Sequence, residues 1–204
     1  MSIVSWRDMP FRTVVRQQFD FSCGSAAFAT LLTYHYGRLE SEEGVFKAMY
    51  DAGDQAKIKA LGFSLLDMKR YAESRGYKAD GYRLTLDQLA RAQRPAIVMI
   101  KLGPYSHFVV IKGIRDGKVL VGDPSRGLTS YTQESFRSVW NGVAFMIEDT
   151  RGAMPIFDRD QEWRARPAPP MDQPLGHASL ATFTRDLPPI YQITPPVPSI
   201  ASSQ

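Results

Sequence analysis

The sequence predicts an α+β fold in which helices come first and an antiparallel sheet follows. Before Pro95, capping residues precede runs with helical periodicity, and after it the pattern changes to short apolar runs typical of strands. Asp116 and Gly117 separate two of these runs, and such a pair is typical of the turn of a β-hairpin. Because hairpins join antiparallel strands, we expect an antiparallel sheet with the helices packed on it.

Four helices are predicted ahead of the strands. Each follows a Ser or Thr whose side-chain oxygen can accept a hydrogen bond from the first helical turn. The four caps are Ser22, Ser41, Ser64 and Thr85. The helices that they introduce span about 23–36, 42–49, 65–74 and 86–92. The first of them is expected to bury one apolar stripe and to end at Gly37.

Strand-like runs alternate with turns in the second half of the chain. The predicted strands are 96–102, 107–114, 118–123, 128–131 and 143–147, with a helix over 132–140 before the last strand. The second and third strands form the hairpin that turns at Asp116 and Gly117. This hairpin therefore lies at the centre of the predicted sheet.

Proline divides the chain into two parts. Nine of the 14 prolines lie after Arg166, in a segment with little apolar periodicity. Such a segment buries too little apolar surface to offset its ordering entropy. We therefore predict one domain over 1–166 and a proline-rich, extended or disordered tail over 167–204.

Charge and hydropathy argue against several classes of function. The net charge is +4 and the 25 basic residues are scattered among 21 acidic ones, so nucleic-acid binding is not indicated. No apolar run approaches the roughly 18 residues of a membrane-spanning helix. The three histidines are dispersed without the spacing of metal ligands, so neither a metal nor another cofactor is predicted.

Cys23 is the single cysteine of the chain, and it lies at the predicted start of the first helix. There the unpaired backbone N–H groups and the positive end of the helix dipole favour the thiolate and lower the thiol pKa below its reference of about 8.5. A lone buried cysteine is otherwise a small hydrophobic residue. Its chemistry therefore depends on whether a base lies beside it.

His107 and Asp123 supply a base and a carboxylate later in the chain. Because His107 begins one strand of the hairpin and Asp123 ends the other, we expect their side chains to be neighbours. The order of cysteine, histidine and carboxylate is that of a papain-like triad. The first helix has only to pack its N-terminus against this end of the sheet to bring Cys23 to the imidazole.

Three motifs in this order resemble the bacteriocin-processing cysteine peptidases, family thirty-nine. The motifs are Gln17 followed by five residues and Cys23-Gly24, the strand Ser106-His107-Phe108-Val109-Val110, and the turn Gly122-Asp123-Pro124-Ser125-Arg126-Gly127. The resemblance covers about 12–150 and implies a papain-like peptidase fold. It implies that Cys23 is the nucleophile, His107 the general base and later acid, and Asp123 the carboxylate that orients the imidazole. It places the side-chain amide of Gln17 near the oxyanion.

The resemblance also implies an extended peptide as substrate. Because those peptidases cut leader peptides after Gly-Gly, we expect a narrow cleft for Gly or Ala, with Tyr105, Phe108 and Trp140 as its walls. Similar stand-alone proteins are periplasmic and are encoded with functional-amyloid export systems, so an export system is the expected partner and the periplasm the expected compartment. The N-terminus shows no signal-peptide pattern, which leaves the cytoplasm open as an alternative.

Two other functions fit the same residues. A non-catalytic module could use the cleft to bind an exported peptide or to dock on a secretion system, and acyl transfer to an amine other than water would need the same triad. Taken singly, Asp123 with Pro124 could be a turn initiator and Gln17 a surface residue. The three motifs together favour the cysteine peptidase.

Overall fold

The computed structural model describes residues 8–103, 105–148 and 154–165, and the predicted tail over 167–204 lies outside the described residues. The helices are α1 (Cys23–His35), α2 (Glu42–Ala52), α3 (Gln55–Leu61), α4 (Leu65–Ser74), α5 (Leu86–Ala92), α6 (Gln133–Val139) and α7 (Asp160–Arg164). The strands are β1 (Ala79–Arg83), β2 (Ala96–Leu102), β3 (Tyr105–Arg115), β4 (Lys118–Asp123), β5 (Gly127–Thr132) and β6 (Trp140–Ile147).

The strands form one antiparallel sheet in the order β1-β6-β2-β3-β4-β5. The central hairpin of β3 and β4 turns at Asp116 and Gly117, whose φ angles of 49° and 71° suit a two-residue hairpin turn. The predicted α+β fold is confirmed. Four elements, α4, α5, β2 and β4, have the bounds that the sequence predicts.

Each face of the sheet carries a hydrophobic core. On one face, side chains of α1, α2 and α4 pack with Phe108 and Val110 of β3. On the other face, side chains of α5 and α6 pack with Val109 and Ile111 of the same strand. Successive residues of β3 therefore point into opposite cores, as strand geometry requires.

Helix α1 is a central element of the fold. Every residue over 23–32 is buried, whereas the sequence pattern indicates one buried stripe. Its small residues explain the difference, because they let neighbouring elements approach closely. A Cβ atom added at Gly24 would lie 2.9 Å from Met68 Cε and 3.0 Å from Phe63 Cβ. This close packing fixes the helix on which Cys23 lies.

Three of the four predicted helix caps are confirmed. These caps are Ser41, Ser64 and Thr85, each of which accepts a hydrogen bond from its first helical turn. The prediction is wrong for Ser22, whose Oγ accepts a hydrogen bond from Phe19 N (3.1 Å) and donates one to Phe19 O (3.0 Å). Ser22 therefore fixes the loop that precedes Cys23 instead of capping α1.

Three described elements, α3, β1 and α7, have no counterpart among the predicted ones. Strand β1 has the sequence Ala-Asp-Gly-Tyr-Arg, in which Asp and Gly disfavour a strand, yet it pairs with β6. Helices α3 and α7 have seven and five residues, and neither follows a Ser or Thr cap of the kind that predicted α5. Helix α3 does have a local signal, because Asp54 accepts a hydrogen bond from its first turn.

The segment 154–165 docks on β3 around a wholly buried lysine. Lys112 lies at a bulge in β3, and its Nζ lies 3.1 Å from Glu162 Oε1 and donates to Thr13 O at 2.8 Å. Burial lowers the pKa of Lys112 to about 8, although Glu162 acts in the opposite direction. The buried contact between Lys112 and Glu162 joins 154–165 to the sheet.

Candidate active site

The N-terminus of α1 meets the start of β3 and the end of β4. Helix α1 packs against β3, which places its first residue, Cys23, beside the imidazole of His107. Asp123 is the last residue of β4, the hairpin partner of β3. The structure therefore brings together the three residues that the sequence selects as a triad.

His107 bridges the other two side chains. Its Nε2 lies 2.7 Å from Asp123 Oδ1, which leaves Nδ1 as the ring nitrogen available to Cys23. The side chain of His107 is 14% exposed, and that of Asp123 is 1% exposed. Because water is largely excluded, the bond between imidazole and carboxylate is stronger here than on the surface.

The pKa of His107 is raised to about 9. Burial alone would lower it, but the hydrogen bonds and negative charges of Asp123 and Cys23 outweigh burial. Burial in turn raises the pKa of Asp123, while hydrogen bonds from His107 and Ser125 and the imidazolium charge lower it by more. At neutral pH the site therefore holds an imidazolium beside a carboxylate.

Gln17 lies in the loop that leads to Cys23. Its backbone N–H donates to Pro124 O (3.0 Å), which ties this loop to the turn after Asp123. Its side-chain Nε2 donates to Phe19 O (3.0 Å), and its buried Oε1 has no hydrogen-bond partner among the described residues. A side-chain amide has two N–H donors, so the second remains for another acceptor. The contribution of Gln17 to an oxyanion site stays a prediction.

The three residues predicted as cleft walls lie in different environments. Tyr105 is 75% exposed at the start of β3, two residues from His107 and on the same side of the strand. Phe108 is buried in the core that contains Cys23, and Trp140 is buried in the core on the opposite face. Trp140 and His107 both pair with Ile100, so they lie on the same face of the sheet. Of the three predicted wall residues, Tyr105 is the most exposed.

Ser125 belongs to the site although the sequence motifs assign it no role. Its backbone N–H and its Oγ both donate to Asp123 Oδ1, at 2.8 Å and 2.7 Å. A local signal existed, because Asp side chains commonly accept a hydrogen bond from the backbone two residues later in a turn. The turn sequence therefore predicts the hydrogen bond from the Ser125 backbone N–H to Asp123. It does not predict the second hydrogen bond, from the Ser125 hydroxyl.

The groups gathered at the site are a thiol, an imidazole and a carboxylate. Within 8–103, 105–148 and 154–165, no three His, Cys, Asp or Glu side chains group together in the manner of metal ligands. No helix in these ranges has both the length and the apolar character needed to cross a membrane.

Comparison with known proteins identifies relatives of most of the chain. Residues 12–152 match the Peptidase C39 family. The chain is 41% identical over 145 residues to the probable functional amyloid protease FapD of Pseudomonas aeruginosa, covering 71% of this chain and 64% of that protein. It is 36% identical over 183 residues to the protein of the same name from Pseudomonas fluorescens, covering 89% and 81%. The chain thus spans slightly less than two thirds of the Pseudomonas aeruginosa relative.

Two solved structures share the fold. The peptidase domain of Streptococcus ComA, a bi-functional ABC transporter involved in quorum sensing, has a TM-score of 0.57 at 21% identity, over 66% of this chain and 96% of that one. A double glycine motif protease from an AMS/PCAT transporter, solved in complex with the leader peptide, has a TM-score of 0.54 at 24% identity, over 66% and 89%. At these identities the likeness shows the fold alone, and it confirms the predicted papain-like architecture.

Proposed function

This chain belongs to the Peptidase C39 family, and we propose that it is a cysteine endopeptidase that cleaves exported or leader-bearing peptides after small residues such as Gly-Gly. The observation that carries the proposal is the position of the His107 imidazole, which lies beside Cys23 and has its Nε2 2.7 Å from Asp123 Oδ1. A thiol, a base and an orienting carboxylate at one site are the groups that nucleophilic acyl transfer requires.

In the proposed reaction, the Cys23 thiolate attacks the carbonyl carbon of the scissile bond and forms a tetrahedral intermediate. The backbone N–H of Cys23 and the remaining amide N–H of Gln17 stabilise the oxyanion. His107 donates its proton to the leaving amine, which departs and leaves an acyl-enzyme. His107 then takes a proton from the water that attacks the acyl-enzyme, and breakage of the C–S bond releases the acid product and restores the thiolate beside the imidazolium. Asp123 holds the ring in place throughout.

The burial of Cys23 supports the proposed preference for small residues before the scissile bond. Cys23 is only 9% exposed, so a substrate backbone must approach closely to bring its carbonyl carbon to the sulfur. Gly or Ala permits this approach, whereas a branched side chain would meet the wall of the site first. Tyr105 is the exposed side chain that we place beside the extended substrate.

The proposed substrate class and compartment draw on the relatives. One structural neighbour is a double glycine motif protease solved with a leader peptide, and two sequence relatives are described as probable functional amyloid proteases. The proposal therefore includes an exported peptide as substrate and an export system as partner. The periplasm is the compartment that the resemblance of the sequence motifs implies.

Mass spectrometry of peptide digests tests the proposed specificity. We expect a leader peptide with Gly-Gly to be cut at one bond, directly after the second Gly. Replacing Gly-Gly by Leu-Leu is expected to lower kcat/KM at least about 100-fold, because two branched side chains cannot enter the site. Equal rates for the two peptides would contradict the specificity, and specific binding of both without cleavage would favour a docking module.

Gln17→Ala is expected to lower kcat by about 100-fold and to leave KM nearly unchanged, because loss of an oxyanion donor affects the transition state more than the bound substrate. Steady-state kinetics on the Gly-Gly peptide measure both constants. The matched control is Gln18→Ala, since Gln18 is the exposed neighbour and should keep the wild-type kcat. A wild-type kcat in Gln17→Ala would remove this residue from the mechanism.

A further inference from the structure

A single oxygen of the buried carboxylate carries all of its hydrogen bonds from the described residues. Asp123 Oδ1 lies 2.7 Å from His107 Nε2 and accepts hydrogen bonds from Ser125 N (2.8 Å) and Ser125 Oγ (2.7 Å). Oδ2 is buried and has no hydrogen-bond partner among the described residues. Ser125 on one side and His107 on the other therefore determine how the carboxylate is oriented.

The turn that carries Ser125 is held in place by the N-terminal segment. Pro124 O accepts a hydrogen bond from Gln17 N at 3.0 Å. Gly127 has a φ of 84°, and a Cβ atom added there would lie 2.5 Å from Pro10 O, so no larger residue fits without movement. Ser125 is therefore presented to Asp123 from a fixed backbone, although the residue itself is exposed to solvent.

We propose that Ser125 is a positioning residue of the active site, whose hydroxyl fixes the carboxylate of Asp123 and draws negative charge away from the oxygen that binds His107. The expected effect on kcat rests on the proposed function, because in that function the imidazole must both hold a proton and release it. The expected effect on the titration of the His107 ring rests on the observed hydrogen bonds alone.

Loss of the Ser125 hydroxyl should raise the proton affinity of the His107 ring. Both hydrogen bonds from Ser125 stabilise the ionised form of Asp123 and help to lower its pKa. Without the hydroxyl, Oδ1 carries more negative charge and holds the imidazolium proton of His107 more tightly. A proton that is held too tightly is transferred more slowly to a leaving amine. The hydroxyl therefore lowers the proton affinity of the imidazole and speeds proton transfer.

The test compares the wild type with Ser125→Ala, Ser125→Thr and the control Ser138→Ala, which removes a hydroxyl from the exposed face of α6. In Ser125→Ala we expect the titration midpoint of the His107 ring to rise by about half a pH unit. We expect kcat on the Gly-Gly peptide to fall roughly tenfold with KM unchanged. Ser125→Thr keeps the hydroxyl and has solvent-exposed room for its methyl group, so it should restore both values.

NMR measures the ring titration directly, because the chain has three histidines and His107→Gln identifies the signal of His107. A midpoint in Ser125→Ala that is unchanged or lower than in the wild type overturns the inference, as does failure of Ser125→Thr to restore it. If the wild type cleaves no peptide but the midpoint rises, the proposed function fails and the electrostatic role of Ser125 stands. If the wild type cleaves and Ser125→Ala keeps its kcat and midpoint, the function stands and the role of Ser125 fails.

Discussion

Cys23→Ala is expected to abolish peptide cleavage, with kcat lowered by at least about 10⁴-fold, because the variant lacks the atom that forms the acyl-enzyme. The fold should remain, because alanine is smaller than cysteine and the packing lost with the sulfur lowers the free energy of unfolding by only about 1 kcal/mol. Mass spectrometry of the Gly-Gly leader peptide measures cleavage, and thermal unfolding followed by circular dichroism measures the fold.

The single cysteine gives this prediction a second measurement. Alkylation of the wild type with iodoacetamide should add one label per chain and stop cleavage, because only Cys23 carries a thiol. Labelling at about pH 6.5 should be faster than in a variant without the imidazole, because reactive cysteines lie beside positively charged groups. His107→Gln is the control and should label slowly at that pH. Undiminished cleavage by Cys23→Ala or by the fully labelled chain would refute the mechanism.

The sequence is sufficient to predict where Cys23, His107 and Asp123 lie in the fold, because each of them is at an element end with a local signal. Cys23 begins a helix of small and apolar residues, and His107 and Asp123 lie at the open end of one hairpin. The two-residue turn of that hairpin sets its register. A bulge at Lys112 shifts the register by one residue, which is too little to separate the imidazole from the carboxylate.

Tertiary packing determines three side-chain positions that the spacing of residues in the sequence did not predict. Phe108 faces the α1 core because that helix covers its side of the sheet. Ser22 binds the backbone of Phe19 because the loop folds back toward the start of α1. The hydroxyl of Ser125 reaches Asp123 only through its side-chain orientation within the turn. None of these contacts has a sequence period, so no pattern of apolar or capping residues could reveal them.

Asp123→Asn is expected to lower kcat/KM at neutral pH by roughly 10³- to 10⁴-fold, because the amide neither stabilises the imidazolium nor selects the correct tautomer of the ring. Its pH dependence should also change. The hydrogen bond and charge of Asp123 raise the pKa of His107 to about 9 against the effect of burial. An amide supplies no charge, so this pKa should fall towards the ordinary value of 6.5. Kinetics between about pH 5 and pH 10 measure the shift.

The direction of the shift distinguishes the role of Asp123 from a general loss of structure. In the proposed mechanism the imidazolium protonates the leaving amine, so the alkaline limb of kcat/KM should follow the pKa of His107 and move to lower pH in Asp123→Asn. Asp160→Asn removes an exposed carboxylate paired with Arg115 and should leave the limb near the wild-type position. Alkylation of Cys23 needs no general acid, so its rate should persist above about pH 9 while cleavage is lost. An unmoved alkaline limb in Asp123→Asn would show that the carboxylate does not control the charge of His107, and the triad would then reduce to a pair of cysteine and histidine.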